Sequence, residues 1–140
     1  MIAGCKTLLA LISISVLILV ACQAEEQIGI QADLNGNPYR VVSVQELQTM
    51  LEGKDFIMIN VHTTWQGDIP QTDLRIAYDQ IKQNMEQLPA EKEAKIIVYC
   101  LTSGMAKKAV ATLLGQGYTN IWMLEGGTTA WEEAGLTIGK

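Results

Sequence analysis

Residues 95–117 read KIIVYCLTSGMAKKAVATLLGQG, and this stretch decides the architecture. It opens on the apolar run Ile96–Tyr99, too short for a buried helix and rich in β-branched and aromatic side chains, as expected of a strand covered on both faces. The period then changes. Ala106, Ala109, Val110, Leu113 and Leu114 recur at helical spacing, Lys107 and Lys108 are directed outward as solvated side chains, and Gly117 closes the helix. Cys100 ends the strand, and the loop Leu101–Met105 leads into a helix beginning near Ala106.

Working outward, Phe56–Val61 and Ile121–Leu124 are apolar runs of the same kind. Ser43 with Glu46 three residues later matches a capping box, after which Val44, Leu47 and Leu51 share a helical face that Gly53 ends. Ile81, Met85 and Leu88 give a shorter helical face stopped by Pro89. Strand and helix alternate without internal repeats. That order predicts an α/β domain with a parallel sheet, helices on both faces, right-handed crossovers, and ligands at the carboxyl ends of the strands. The folded domain is expected to span residues 39–140.

The N-terminal 21 residues hold one charge, Lys6, and 16 apolar residues. A signal-peptide core needs about 7 to 15 residues, and Leu8–Val20 is 13 long with Ser13 and Ser15 inside it. The run ends LVAC, Leu19 to Cys22, which resembles the lipobox of bacterial lipoproteins. The resemblance implies cleavage before Cys22, lipidation of its thiol, and an extracytoplasmic domain held to a bacterial membrane; an uncleaved signal anchor is the alternative. Residues 22–38, polar and broken by Gly36 and Pro38, then read as the lipidated N-terminal tether. Beyond the leader, 9 basic residues face 15 acidic ones with no basic run, which excludes nucleic acid as an expected partner. Cys5, Cys22 and Cys100 lack CxxC spacing and His62 is the only histidine, so neither a metal site nor another cofactor is expected. With the Cys22 thiol consumed, Cys100 has no disulfide partner, and a monomer is expected.

Cys100 stands where a ligand crevice belongs. Thr102, Ser103 and Gly104 are short enough for successive backbone N–H groups to curl into an anion nest, and the following helix adds its N-terminal positive charge. Both favour a nucleophilic thiolate, whereas a buried structural cysteine would be a small hydrophobe. His62, at the carboxyl end of the first buried strand, is a candidate auxiliary base, against the commoner outcome of an imidazole satisfied by a loop carbonyl. Trp65, Trp122 and Trp131 read as packing, Trp65 the most exposed of them. Asp68 and Asp73 have no assignable partner.

The segment IIVYCLTSGMAKKAVATLLGQGYTNIWMLEGGTTAWEEAGL resembles the C-terminal half of a rhodanese domain: strand, Cys, short loop, helix, G-Y, strand, L-x-G-G, A-W and a closing G. Ahead of it, SVQELQTML and FIMINVHTTWQGDIP are similar to the family's first helix and its D-x-R and G-H-I-P segments. The resemblance implies a three-layer fold with a five-stranded parallel sheet. It also implies a sulfurtransferase or persulfide carrier, in which Cys100 accepts sulfane sulfur from a small donor and passes it to a thiol acceptor. Leu101, Thr102, Ser103, Gly104 and Met105 would form the substrate-binding loop. The departures are Asn60 and His62 in D-x-R, Asp68 in G-H-I-P, and Met105 where the family often has Arg. They leave the loop with N–H groups and the Thr102 and Ser103 hydroxyls but no cation, so a doubly charged donor such as thiosulfate is expected to fare worse than a persulfide. A binding module without turnover is the main alternative. A phosphatase, which shares the fold, would need an Arg that this loop lacks.

Overall fold

The computed structural model describes residues 27–140; the leader and Cys22 lie outside the described residues. In chain order the elements are β1 (Ile30–Leu34), β2 (Asn37–Val42), α1 (Val44–Glu52), β3 (Ile57–Asn60), β4 (Leu74–Arg75), a 3₁₀ helix (Lys82–Gln87), β5 (Ile96–Tyr99), α2 (Gly104–Gly115), β6 (Ile121–Leu124) and α3 (Gly127–Glu133). The strands form one sheet in the order β1-β2-β6-β5-β3-β4. Every neighbouring pair is parallel except β1 and β2. The α/β class and the three expected apolar strands are present, but the sheet has six strands rather than five.

Period-two alternation sends successive residues to opposite faces, and both faces are covered. Ile96, Val98 and Cys100 belong to the core beneath α2, with Ala106, Ala109, Val110 and Leu113. Ile97 and Tyr99 belong to the core on the other face, with Val44, Leu47 and Leu51 of α1 and Trp131 of α3. Val110 and Leu113 are fully buried, and burial of such a side chain contributes about 1.5–3 kcal/mol.

Three sequence expectations need correction. The tether reading fails over residues 30–37, which form an edge hairpin. Asn35 (φ 55°) and Gly36 (φ 84°) both lie in the left-handed region, and Leu34 pairs with Asn37 across them. That is the two-residue turn favoured by Asn-Gly, a signal present in the sequence and outweighed there by the polar composition. The hairpin is tied down: Gly29 N–H donates to Glu46 Oε1 at 2.8 Å and Arg40 Nη1 to the Ile28 carbonyl at 2.9 Å. The Ile81–Leu88 segment is 3₁₀ rather than α, with a kink at Asn84. The cysteine helix begins at Gly104, two residues earlier than expected, so Met105 is already helical.

Candidate functional site

Sheet register brings the site together. Asn60 of β3 lies opposite Tyr99 of β5, and Val61 N–H donates to the Tyr99 carbonyl at 2.8 Å. The next residue on each chain segment, His62 and Cys100, therefore emerges at the same carboxyl edge. With Leu101, Thr102, Gly104, Met105 and Lys108 they line an open cleft of about 310 Å³. Cys100 is a free cysteine and only 2% exposed.

The cysteine loop is held from behind. Thr128 N–H donates to the Cys100 carbonyl at 2.9 Å and Thr129 N–H to the Leu101 carbonyl at 3.0 Å. The first turn of α3 thus spends its own unpaired donors on the loop's carbonyls. A trans peptide sets its C=O and N–H in opposite directions, so the Leu101 and Thr102 N–H groups face away from α3. Among the described residues, the N–H groups of Leu101 to Met105 donate to no protein atom. The loop thus keeps the unpaired N–H groups that a nest requires, and what shapes it from behind is Gly126-Gly127. Gly127 has φ +56°, and a Cβ on it would lie 2.1 Å from the Cys100 carbonyl oxygen and 2.7 Å from that of Thr102. Sequence reading quoted this Gly-Gly pair without giving it a task; a double glycine directly before a short helix was the available signal.

The expected site residues divide. Cys100, Leu101, Thr102, Gly104, Met105 and His62 share the cleft, whereas Ser103 turns away and its Oγ accepts the Gly126 N–H at 3.0 Å. The expected Ser103 hydroxyl is therefore not offered to a ligand. His62 is not satisfied by a loop carbonyl: Nδ1 and Nε2 are both buried and neither has a hydrogen-bond partner. Its backbone is fixed instead, with His62 N–H donating to Asn60 Oδ1 at 3.0 Å. The lysines do not behave alike. Both are exposed as expected, but Lys108 also lines the cleft, its Nζ 5.2 Å from the Tyr78 ring centroid.

The segment after β3 is strapped by side chains. Asn60 Nδ2 donates to the Gly67 carbonyl and to Asp68 Oδ1, both at 2.9 Å. Asp68 also accepts from Trp65 Nε1 at 3.1 Å and pairs with Arg75, whose guanidinium lies 4.3 Å from the Trp65 ring centroid. Burial alone would raise the Asp68 carboxyl, but hydrogen bonds from Arg75, Asn60 and Trp65 hold it below the usual range. Asp73, the other unassigned carboxylate, pairs with Lys54 and accepts the Met58 N–H. Tyr99, fully buried, accepts the Ile69 N–H at 3.1 Å and lies 2.7 Å from Thr72 Oγ1. Burial pushes its phenol up to about 12. Far from the cleft, N–H donors from Ser43 and then Gly29 draw the Glu46 carboxyl down.

A strand-to-helix cysteine loop moulded by L-x-G-G is a family signature, and the family described as Rhodanese-like domain matches residues 43–134. The chain belongs to the rhodanese-like domain family. A "Sulfurtransferase" of Allochromatium vinosum is 29% identical over 94 residues, covering 65% of this chain and 85% of that protein. A "tRNA uridine(34) hydroxylase" of Escherichia coli is 26% identical over 103 residues, covering 66% of this chain but only 29% of that protein. Among solved structures, a rhodanese-like domain protein from Staphylococcus aureus has a TM-score of 0.59 at 29% identity, covering 71% of this chain and 98% of that one. A rhodanese-related protein from Thermoplasma volcanium, at 22% identity and a TM-score of 0.60, shares the fold, covering 71% of this chain and 97% of that one. The rhodanese-like assignment carries with it a sulfur-related role.

Proposed function

We propose that this rhodanese-like protein is a sulfurtransferase or persulfide carrier acting through Cys100, anchored outside the cytoplasm by lipid on Cys22. The observation that carries the reading is the cysteine loop. The Cys100 and Leu101 carbonyls are tied to α3, and the five N–H groups of residues 101–105 are free of protein acceptors next to Cys100. Those N–H groups stabilise negative charge, first on the thiolate and then on the terminal sulfur of a persulfide. In the loading step the Cys100 thiolate attacks the outer sulfur of a donor R–S–SH. A new S–S bond forms, the donor's S–S bond breaks, and R–S⁻ leaves with the electron pair. An acceptor thiolate then takes that sulfur by the same exchange and returns Cys100 to its starting state, so there is no net oxidation.

The anchor rests on the LVAC end of the leader. Since Gly29 is already bonded to Glu46, only residues 23–28 separate the domain from Cys22, a reach of about 20 Å. The cleft would then work close to the bilayer.

The test is intact-mass spectrometry and peptide mapping of the purified protein after exposure to polysulfide. Cys100 should gain about 32 Da, one sulfur atom, and lose it to added thiol. Cys100→Ser should gain nothing at that position. A wild-type protein that folds and takes up no sulfur at Cys100 would instead be a binding module. Labelling with a palmitate analogue in cells, abolished in Cys22→Ser, tests the anchor.

A further inference from the structure

The cleft holds two groups that loading and unloading of Cys100 do not by themselves use. His62 has both ring nitrogens buried without a partner, although a neutral imidazole has one donor and one acceptor to satisfy. Lys108 is the one charged residue lining the cleft, and among the described residues no carboxylate pairs with it. No acidic residue lines the cleft, so its fixed charge is positive.

The position of Lys108 matters as much as its sign. The family's frequent arginine would sit at Met105, on the rim of the cysteine loop and in the first turn of α2. Lys108 is three residues on, about 4.5 Å further along the helix axis. Its side chain is exposed, with the ammonium 5.2 Å from the Tyr78 ring centroid. That placement, a helical turn beyond the rim, suits an anion separated from the transferable sulfur by a stretch of uncharged ligand. Thiosulfate, with its sulfonate bonded directly to the transferable sulfur, does not have that shape.

We infer that the sulfur donor is a low-molecular-weight organic persulfide carrying a carboxylate, with the sulfane sulfur in the N–H nest and the carboxylate on Lys108. The polar groups of the donor's body meet the unpartnered nitrogens of His62. The leaving group is then a carboxylate-bearing thiolate, released with the electron pair of the broken S–S bond. Lys108 binds this donor and takes no part in bond exchange.

This assignment rests on the sulfur-transfer reading, and one experiment separates the two. The full-length protein in detergent is offered the persulfide of N-acetylcysteine or that of N-acetylcysteine amide, which differ by one negative charge. The initial rate of sulfur gain at Cys100 is divided by the rate for a free cysteine peptide with the same donor. Wild type should prefer the carboxylate donor about two- to fivefold, the range of a partly exposed ion pair. Lys108→Gln should bring that ratio to about one, while Lys107→Gln, altering a lysine outside the cleft, should keep it. Equal rates in wild type, or a ratio that survives in Lys108→Gln, would overturn the donor assignment and leave sulfur transfer standing. No sulfur at Cys100 from either persulfide would overturn both.

Discussion

Two loops leave the carboxyl edge of the sheet from neighbouring strands, and they are built in opposite ways. After β3, residues 61–73 are braced by the side chains of Asn60, Asp68, Trp65, Arg75 and Tyr99 together with a backbone bridge between Asp68 and Gly139. After β5, the cysteine loop is held by backbone alone at its carbonyls, with only the Ser103 hydroxyl spent on Gly126. Its N–H groups are left over. The first loop is braced through the Asn60, Asp68 and Tyr99 side chains and presents His62 to the cleft. The second is rigid and unsaturated at once, which is the condition for preorganised binding of an anion. A loop held through its side chains would have had its N–H groups free to move, and one held through its N–H groups would have had nothing to offer.

Removing the mould behind the cysteine loop should produce the largest effect. Gly127→Ala places a methyl group against the Cys100 and Thr102 carbonyls at a left-handed φ, costing about 3 kcal/mol through strain and overpacking. Thermal unfolding should show the loss. Sulfur uptake at Cys100 should fall even at temperatures where the variant is folded, because the N–H groups lose their common direction.

A charge added to the unsaturated loop should sharpen the contrast. Met105→Arg restores a cation at the rim and should raise thiosulfate turnover about tenfold to a hundredfold, as expected for charge-assisted hydrogen bonds of about 1.5–3 kcal/mol. Sulfite release measured side by side in wild type and variant, with Cys100→Ser as the blank, checks it. Efficient thiosulfate turnover by wild type would contradict this account of the loop.

The smallest effect belongs to the loop braced by side chains. Tyr99→Phe leaves the Ile69 N–H without its acceptor and should cost about 1–2 kcal/mol, with sulfur uptake retained. The phenol is pushed up to about 12 in the folded protein, from an ordinary value of about 10. Its raised value means that folding favours the protonated form. The associated stability is present below pH 10 and is lost as pH rises through 12. Denaturant unfolding of wild type should weaken over that alkaline window, and Tyr99→Phe should flatten the decline.

Much of this arrangement was legible in the chain because it depends on local pattern. The Ser43–Glu46 box, the apolar runs and the helical spacing from Ala106 to Leu114 are each short-range signals, and the family's Cys-loop and L-x-G-G text runs continuously through residues 96–136. The N-terminal hairpin was equally local, but its Asn35-Gly36 turn stood among polar residues that read as linker. The edge position explains that composition: β1 has one side toward solvent, and Ile30 is 74% exposed.

The sequence by itself determined the α/β alternation, the placement of Cys100 between a strand and a helix, and the absence of an arginine at position 105. Each follows from residue type and spacing along one segment. Tertiary structure alone decided the company that cysteine keeps. His62 reaches the cleft because β3 pairs with β5 in one register, 39 residues apart in sequence. There its backbone is pinned by Asn60 while both ring nitrogens stay without a partner. Lys107 and Lys108 are adjacent, identical in type and both exposed, yet a 100° step around a helix makes only Lys108 part of the cleft lining. Helical spacing says which side chains share a face; what stands opposite that face depends on how the sheet and the loops beyond it are packed.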